Sequence, residues 1–235
     1  MLAPARALAD AFFEKPGGGK VIVGGVFEVG GGPAPIAGYR KFGLSKHAEY
    51  GLSDSTTLLA RTESGAPWLG EPDTRGAGSI GVRRLLFDAG AMRVAAQALA
   101  SVDAGLDRLS LGNRGSRLAL DARLAAVTTF NAAHAPAFVM VAAGVRVAEG
   151  EAIGGRFEAT LGVRPFASLL LLAQMFGRLD DDPLRGRAVT TLRAQASVIS
   201  DLTAEWSVQA GVFAGLPNHW GHRERGLLAA VIRRF

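Results

Sequence analysis

Cysteine is absent from the 235 residues, so no disulfide can staple this chain, and the absence fits a secreted protein that avoids stray disulfides. Long apolar runs are missing as well. The longest candidate, residues 167–176 (ASLLLLAQMF), is about half of the ~20 residues that a spanning helix needs, which excludes a helical membrane protein. Clusters of basic residues are the third lack. Lys plus Arg number 26 against 21 Asp plus Glu, yet the basic residues are spread thinly along the chain. With no helix-turn-helix, zinc or RNA-binding signature, the positive balance does not point to nucleic acid.

What is present is alternation. Apolar and polar residues exchange at every second position over 20–29, 40–52, 56–64, 78–87, 91–101, 117–127, 137–148, 156–164, 167–177, 187–200, 203–213 and 225–235. These twelve segments are mostly longer than the five or six residues usual in globular strands and match the roughly 9–11 of a tilted bilayer-spanning strand. In 40–52, for example, Phe42, Leu44, Ala48, Tyr50 and Leu52 oppose Lys41, Ser45, His47 and Glu49. The connections after odd segments are mostly long and those after even ones mostly short. Two are of medium length: TTFNAAHAPA after the sixth and EGEAIGG after the seventh. Two unlike ends of an antiparallel barrel follow, with short periplasmic turns and longer external loops. Phe27, Phe42 and Phe157 fall near the loop end of the apolar face, and Tyr50, Trp206 and Phe235 near the turn end, as two interfacial rings require. The reading is an all-β, up-and-down antiparallel transmembrane β-barrel of about twelve strands over residues 20–235. Residues 1–19 are a leader remnant or N-terminal arm. Ala9-Asp10-Ala11 reads as a signal-peptidase site before Phe12, which would place Met1 inside a longer precursor.

The chain ends GLLAAVIRRF. The terminal Phe235, with Val231, Ala229 and Leu227 at alternate earlier positions, resembles the terminal signal of Gram-negative outer-membrane β-barrels. AEYGLSDSTTLLA and GRFEATLGVRPFASLLLLAQMFG are similar to the transmembrane hairpins of small porin-like members of that class. The resemblance covers 20–235 and implies residence in the outer membrane, contact with lipid and lipopolysaccharide, and reading of Phe235 by the barrel-assembly machinery. Arg233 departs from the pattern, at a position where the class prefers an apolar or aromatic residue; snorkelling to the headgroups is the expected accommodation.

The polar face carries the candidate chemistry. Arg61, Arg83, Arg93, Arg117, Arg123, Arg146, Arg156, Arg164 and Arg193 share inward parity with Glu49, Glu63, Asp121, Glu158 and Glu205. Charges enclosed by a barrel must pair or meet water, because a dry unpaired charge is costly. The arginines, with Glu49 and Glu158, are therefore candidate pore-lining residues. They serve either a salt-bridged filling or a wet passage whose positive potential favours small anionic solutes. Two other functions compete: a structural or assembly component with a filled lumen and a protein partner, and an enzyme acting on lipid or lipopolysaccharide. For the last, Ser45, His47 and Glu49 stand at alternate positions, but they point inward and lack an oxyanion-hole or Gly-x-Ser-x-Gly signature, so no catalytic function is expected. His219 and His222, in PNHWGHRE, supply too few ligands for a metal site, and LDDDPLRG reads as a charged solvated turn, so neither a metal nor another cofactor is expected. Lys46 and Arg84 oppose the model by falling on the apolar face. Either a β-bulge turns them inward or a protein partner covers them.

Overall fold

A computed structural model describes residues 13–31, 39–67, 74–106, 117–149, 153–182, 187–216 and 223–235. Every regular element among them is a strand. They are β1 (Gly19–Gly31), β2 (Tyr39–Ser53), β3 (Thr56–Pro67), β4 (Thr74–Asp88), β5 (Met92–Leu106) and β6 (Arg117–Ala132), then β7 (Ala135–Ala148), β8 (Gly154–Phe166), β9 (Leu169–Asp182), β10 (Arg187–Asp201), β11 (Trp206–Gly215) and β12 (Arg223–Arg234). Each pairs antiparallel with its sequence neighbours, and β1 pairs with β12, so the sheet closes with no free edge. The expected twelve-stranded up-and-down barrel is the observed architecture. Phe235 completes the seam: its N–H donates to the Gly19 carbonyl (3.0 Å), and the Gly19 N–H donates to the Phe235 carbonyl (2.8 Å). Spacing of ~4.8 Å and tilt of ~40° give twelve strands a backbone diameter of about 24 Å.

The period-2 pattern sorts side chains as alternation requires. Buried apolar residues of the strands, including Leu59, Ala95, Val127, Leu170, Phe213 and Ile232, face the interior; Ala137 is the exception. Large apolar residues on the other parity stay exposed, among them Ile80, Leu120, Leu124, Val145 and Leu227. A wall of this kind over the whole circumference is far beyond the apolar patches tolerated in water, and it matches a surface built for hydrocarbon. Phe42 and Phe157 point outward toward the loop end, and Tyr50, Trp206 and Phe235 toward the turn end.

Boundaries differ from expectation at both ends: at the loop end β4 starts at Thr74, β5 runs to Leu106 and β9 to Asp182, and three connections shift at the turn end. The stretch TTFNAAHAPA is not a connection: β6 and β7 run through it and are joined by Ala133 and His134 alone, both with positive φ (47° and 71°). Two-residue turns of this hand usually announce themselves as Asn-Gly or Asp-Gly, and Ala-His carries no such signal. Residues 167–168 form the β8–β9 turn, in which the Ser168 carbonyl accepts from the Asp201 N–H (2.8 Å). β11 starts at Trp206 instead of 203 because Thr203 Oγ1 accepts from the N–H groups of Glu205 (3.2 Å) and Trp206 (3.0 Å), which folds 203–205 into a turn. With these corrections, all five connections at the turn end are short. The signal-peptidase reading at residues 9–12 and the His219 and His222 pair lie outside the described residues.

Replacing Ala133-His134 by Asn-Gly is expected to stabilise the barrel by about 1–2 kcal/mol, because both positions adopt a left-handed conformation that Asn and Gly tolerate. A shift of the urea midpoint to higher concentration, at unchanged slope, checks it.

Candidate functional site

Inward parity places Arg61, Arg83, Arg93, Arg117, Arg123, Arg146, Arg156, Arg164, Arg193, Glu49 and Glu158 all on the interior wall. Register then decides which of them stand together. Along the hydrogen-bonded neighbours of successive strands, Arg83 faces Gln97, Gln97 faces Arg123, Arg123 faces Gly144, Gly144 faces Arg156, and Arg156 faces Arg178. Such a row runs perpendicular to the strands. Because the strands tilt, the row winds up the wall, from near the turn end of β4 to the loop end of β9. Four guanidinium groups thus follow one spiral path. Two rows away, Thr160, Gln174 and Gln195 form an uncharged ladder: Gln195 Nε2 donates to Gln174 Oε1 (2.9 Å), and Gln174 Nε2 donates to Thr160 Oγ1 (3.3 Å).

Carboxylates tether part of this cationic set. Glu49, almost fully buried, accepts from Arg83 (3.3 Å), lies 3.0 Å from Lys20 Nζ, and hydrogen-bonds His47 Nε2 (2.8 Å). One carboxylate shared by two cations and an imidazole satisfies the burial rule for charges. This use of His47 and Glu49 makes them a structural pair in the wall. Arg123 Nε donates to Asp121 (2.5 Å), Arg93 Nε to Asp88 (3.0 Å), and Arg61 pairs with Glu63. Arg193 lies 3.4 Å above the centre of the Phe213 ring, a cation–π contact. Arg156 Nη1 donates to the Gly155 carbonyl (2.8 Å).

At the turn end, Asp201 collects Arg164 (2.8 Å), Ser207 Oγ (2.6 Å) and Arg234 (3.5 Å). Removing the charge with Asp201→Asn deprives two guanidinium groups of their carboxylate in a half-open site, and is expected to cost about 1–2 kcal/mol in urea unfolding.

Sequence reasoning missed four contributors. Asp201 fell in a supposed turn but ends β10. Arg178 fell in a supposed loop, although the alternation Gln174, Phe176, Arg178 continues into it. Phe13 and Glu14 belong to the arm: Phe13 is buried among interior residues, and Glu14 lies 3.1 Å from Lys20 Nζ. Only the Arg178 signal was available in the sequence, as an unbroken period of two.

Lys46 and Arg84 remain on the outer face and exposed; the register shifts in these strands fall at Gly51/Ser53 and Leu85/Phe87 and turn neither residue inward. Arg233 also faces out, with its guanidinium 5.4 Å from the Trp206 ring at the turn end, the geometry of a snorkelling side chain. Among the described residues no group of three or more metal-ligating side chains occurs.

No protein-family model matches the chain, and no curated protein matches it. Solved structures do. The chain is similar to the COG4313 outer membrane channel from Pseudomonas putida F1, with a TM-score of 0.67 at 12% identity over 94% of this chain and 96% of that one. It is similar to the KdgM porin in complex with disordered oligogalacturonate, with 0.56 at 7% identity over 91% and 99%. It is also similar to the translocator domain of the autotransporter NalP from Neisseria meningitidis, with 0.55 at 16% identity over 98% and 93%. Identities this low establish the fold, a closed barrel of the outer-membrane type.

Proposed function

We propose that the chain is an outer-membrane channel of a Gram-negative bacterium for passive passage of small anionic solutes. The observation that carries this reading is the arginine row, Arg83, Arg123, Arg156 and Arg178, winding from one end of the lumen toward the other. Cationic groups spaced along a low-dielectric wall raise the local concentration of anions and offer each a next site before it leaves the last. The uncharged Thr160–Gln174–Gln195 ladder nearby supplies hydrogen-bonding groups suited to hydroxylated solutes. The outward face then meets outer-membrane lipid and lipopolysaccharide, and Phe235 serves as the signal to the barrel-assembly machinery.

Planar-bilayer recording tests the proposal. The expected result is a reversal potential on the anion side in a salt gradient. Galacturonate oligomers are the first organic solutes to try in liposome swelling, since one barrel of similar fold was solved with oligogalacturonate. A purified barrel that passes cations in preference to anions sinks the reading.

A further inference from the structure

We infer that residues 13–18 form a strap that closes the turn end of the lumen and leaves it when the channel conducts. The inference rests on the passage reading above. Its starting point is where the chain goes before β1. Gly19 sits in the wall between β12 and β2. Phe13, six residues earlier, is buried against Ala95 on β5 and Val127 on β6, with Leu85, Ala125, Phe138 and Met140 packed around it. In the order of the ring, β5 and β6 stand nearly opposite β1. Residues 15–18 make a turn against β2, with the Gly18 N–H donating to the Lys15 carbonyl (2.9 Å) and Gly17 at positive φ (78°), so the crossing is made by Phe13, which leads from beside Gly51 to β5 and β6. The strap therefore lies on β2 from residue 14 to residue 18 and reaches over the mouth through Phe13.

The wall is shaped to receive it. Pro16 pairs in parallel with Gly51 as an isolated bridge. The Gly17 N–H donates to the Gly51 carbonyl, and the Gly51 N–H donates to the Gly18 carbonyl, both at 2.9 Å. A side chain at position 51 would collide with the carbonyl oxygens of Glu14 and Lys15, so the strap fits only because β2 carries glycine there. On the far side Phe138 lies flat over Gly162, where a Cβ would overlap its ring; this keeps the ring against the wall and leaves space for Phe13. Glu14 reaches Lys20, which also contacts Glu49, and Glu49 accepts from Arg83, the first arginine of the row. The strap is thus tied electrostatically to the start of the proposed anion path.

The backbone pairing of the strap is also short. A strand of the wall is held by a full ladder on both sides, whereas the strap meets the wall in an isolated bridge at Gly51. Elements held by few contacts open first while the remainder stays folded. An incoming anion that draws Lys20 or Arg83 away from the carboxylates weakens the ion-pair tether, which would couple solute entry to release.

The test uses the full chain, in which any introduced cysteine is unique. Phe13→Ser removes the anchor and is expected to raise single-channel conductance or open fraction several-fold over the wild type. Phe13→Cys combined with Val127→Cys, oxidised, is expected to hold the barrel in its low-conductance state, and reduction to release it. Heat-modifiable migration on a denaturing gel verifies that each variant is folded. If the wild type conducts and neither Phe13→Ser nor oxidation of the pair changes the current, the strap is not a gate, while the passage reading survives. If folded wild type, Phe13→Ser and the reduced pair are all silent, the strap does not close the lumen and the passage reading falls with it.

Discussion

A chain carrying Arg123→Gln, Arg156→Gln and Arg178→Gln together is expected to lose most of its anion preference. These residues and Arg83 stand on one row of cross-strand neighbours, so the substitutions remove three of its four positive charges. In a tenfold salt gradient an ideally selective channel reads about 59 mV. The wild type is expected on the anion side of zero and the triple variant near zero or beyond it, because Glu49, Asp121 and Glu158 stay on the wall. The difference should shrink at high ionic strength, where the Debye length falls to about 3 Å at 1 M. Arg233→Gln is the control: its guanidinium lies over Trp206 on the outer face and should leave selectivity unchanged. A triple variant as selective as the wild type would show that the row is only a filling.

The second large effect tests the membrane itself. An apolar band ~25 Å tall spans about ten residues of a strand tilted by ~40°. Counting from Tyr50 and Leu52 at the turn end puts Lys46 near its middle, beside Val23 and Thr62 on the outer face. A lysine there costs about 2–4 kcal/mol in lipid. Lys46→Leu is therefore expected to stabilise the barrel by that amount in vesicles. Val141→Lys, at the middle of β7 and outward, is expected to destabilise it by the same amount. In a barrel surrounded by water, each exchange would fall within about 0.5 kcal/mol. Urea unfolding in lipid vesicles reads both. A loss at Val141 without a gain at Lys46 is the outcome that a protein partner seated over Lys46 would produce.

Much of this molecule is legible in its sequence. Alternation is a local property: a strand turns successive side chains to opposite faces, so Arg61 and Glu63 declare the face opposite to Leu58 and Ala60 whatever they pair with. That suffices for the strand count, the inward set of arginines and the aromatic residues near the two ends. It fails where a boundary is decided by turn geometry, as at Ala133-His134, or by a side chain capping its own backbone, as at Thr203.

By itself, then, the sequence determined the architecture and the face of each residue, because both follow from a period of two and the length of the segments. Only the tertiary structure decided the register, and with it the arginine row, the sharing of Glu49 by Lys20, Arg83 and His47, and the seating of Phe13 across the mouth. The physical reason is closure. The shear of a closed ring is set by all twelve strand pairings together, so residues far apart in sequence become neighbours by a constraint that no single segment carries.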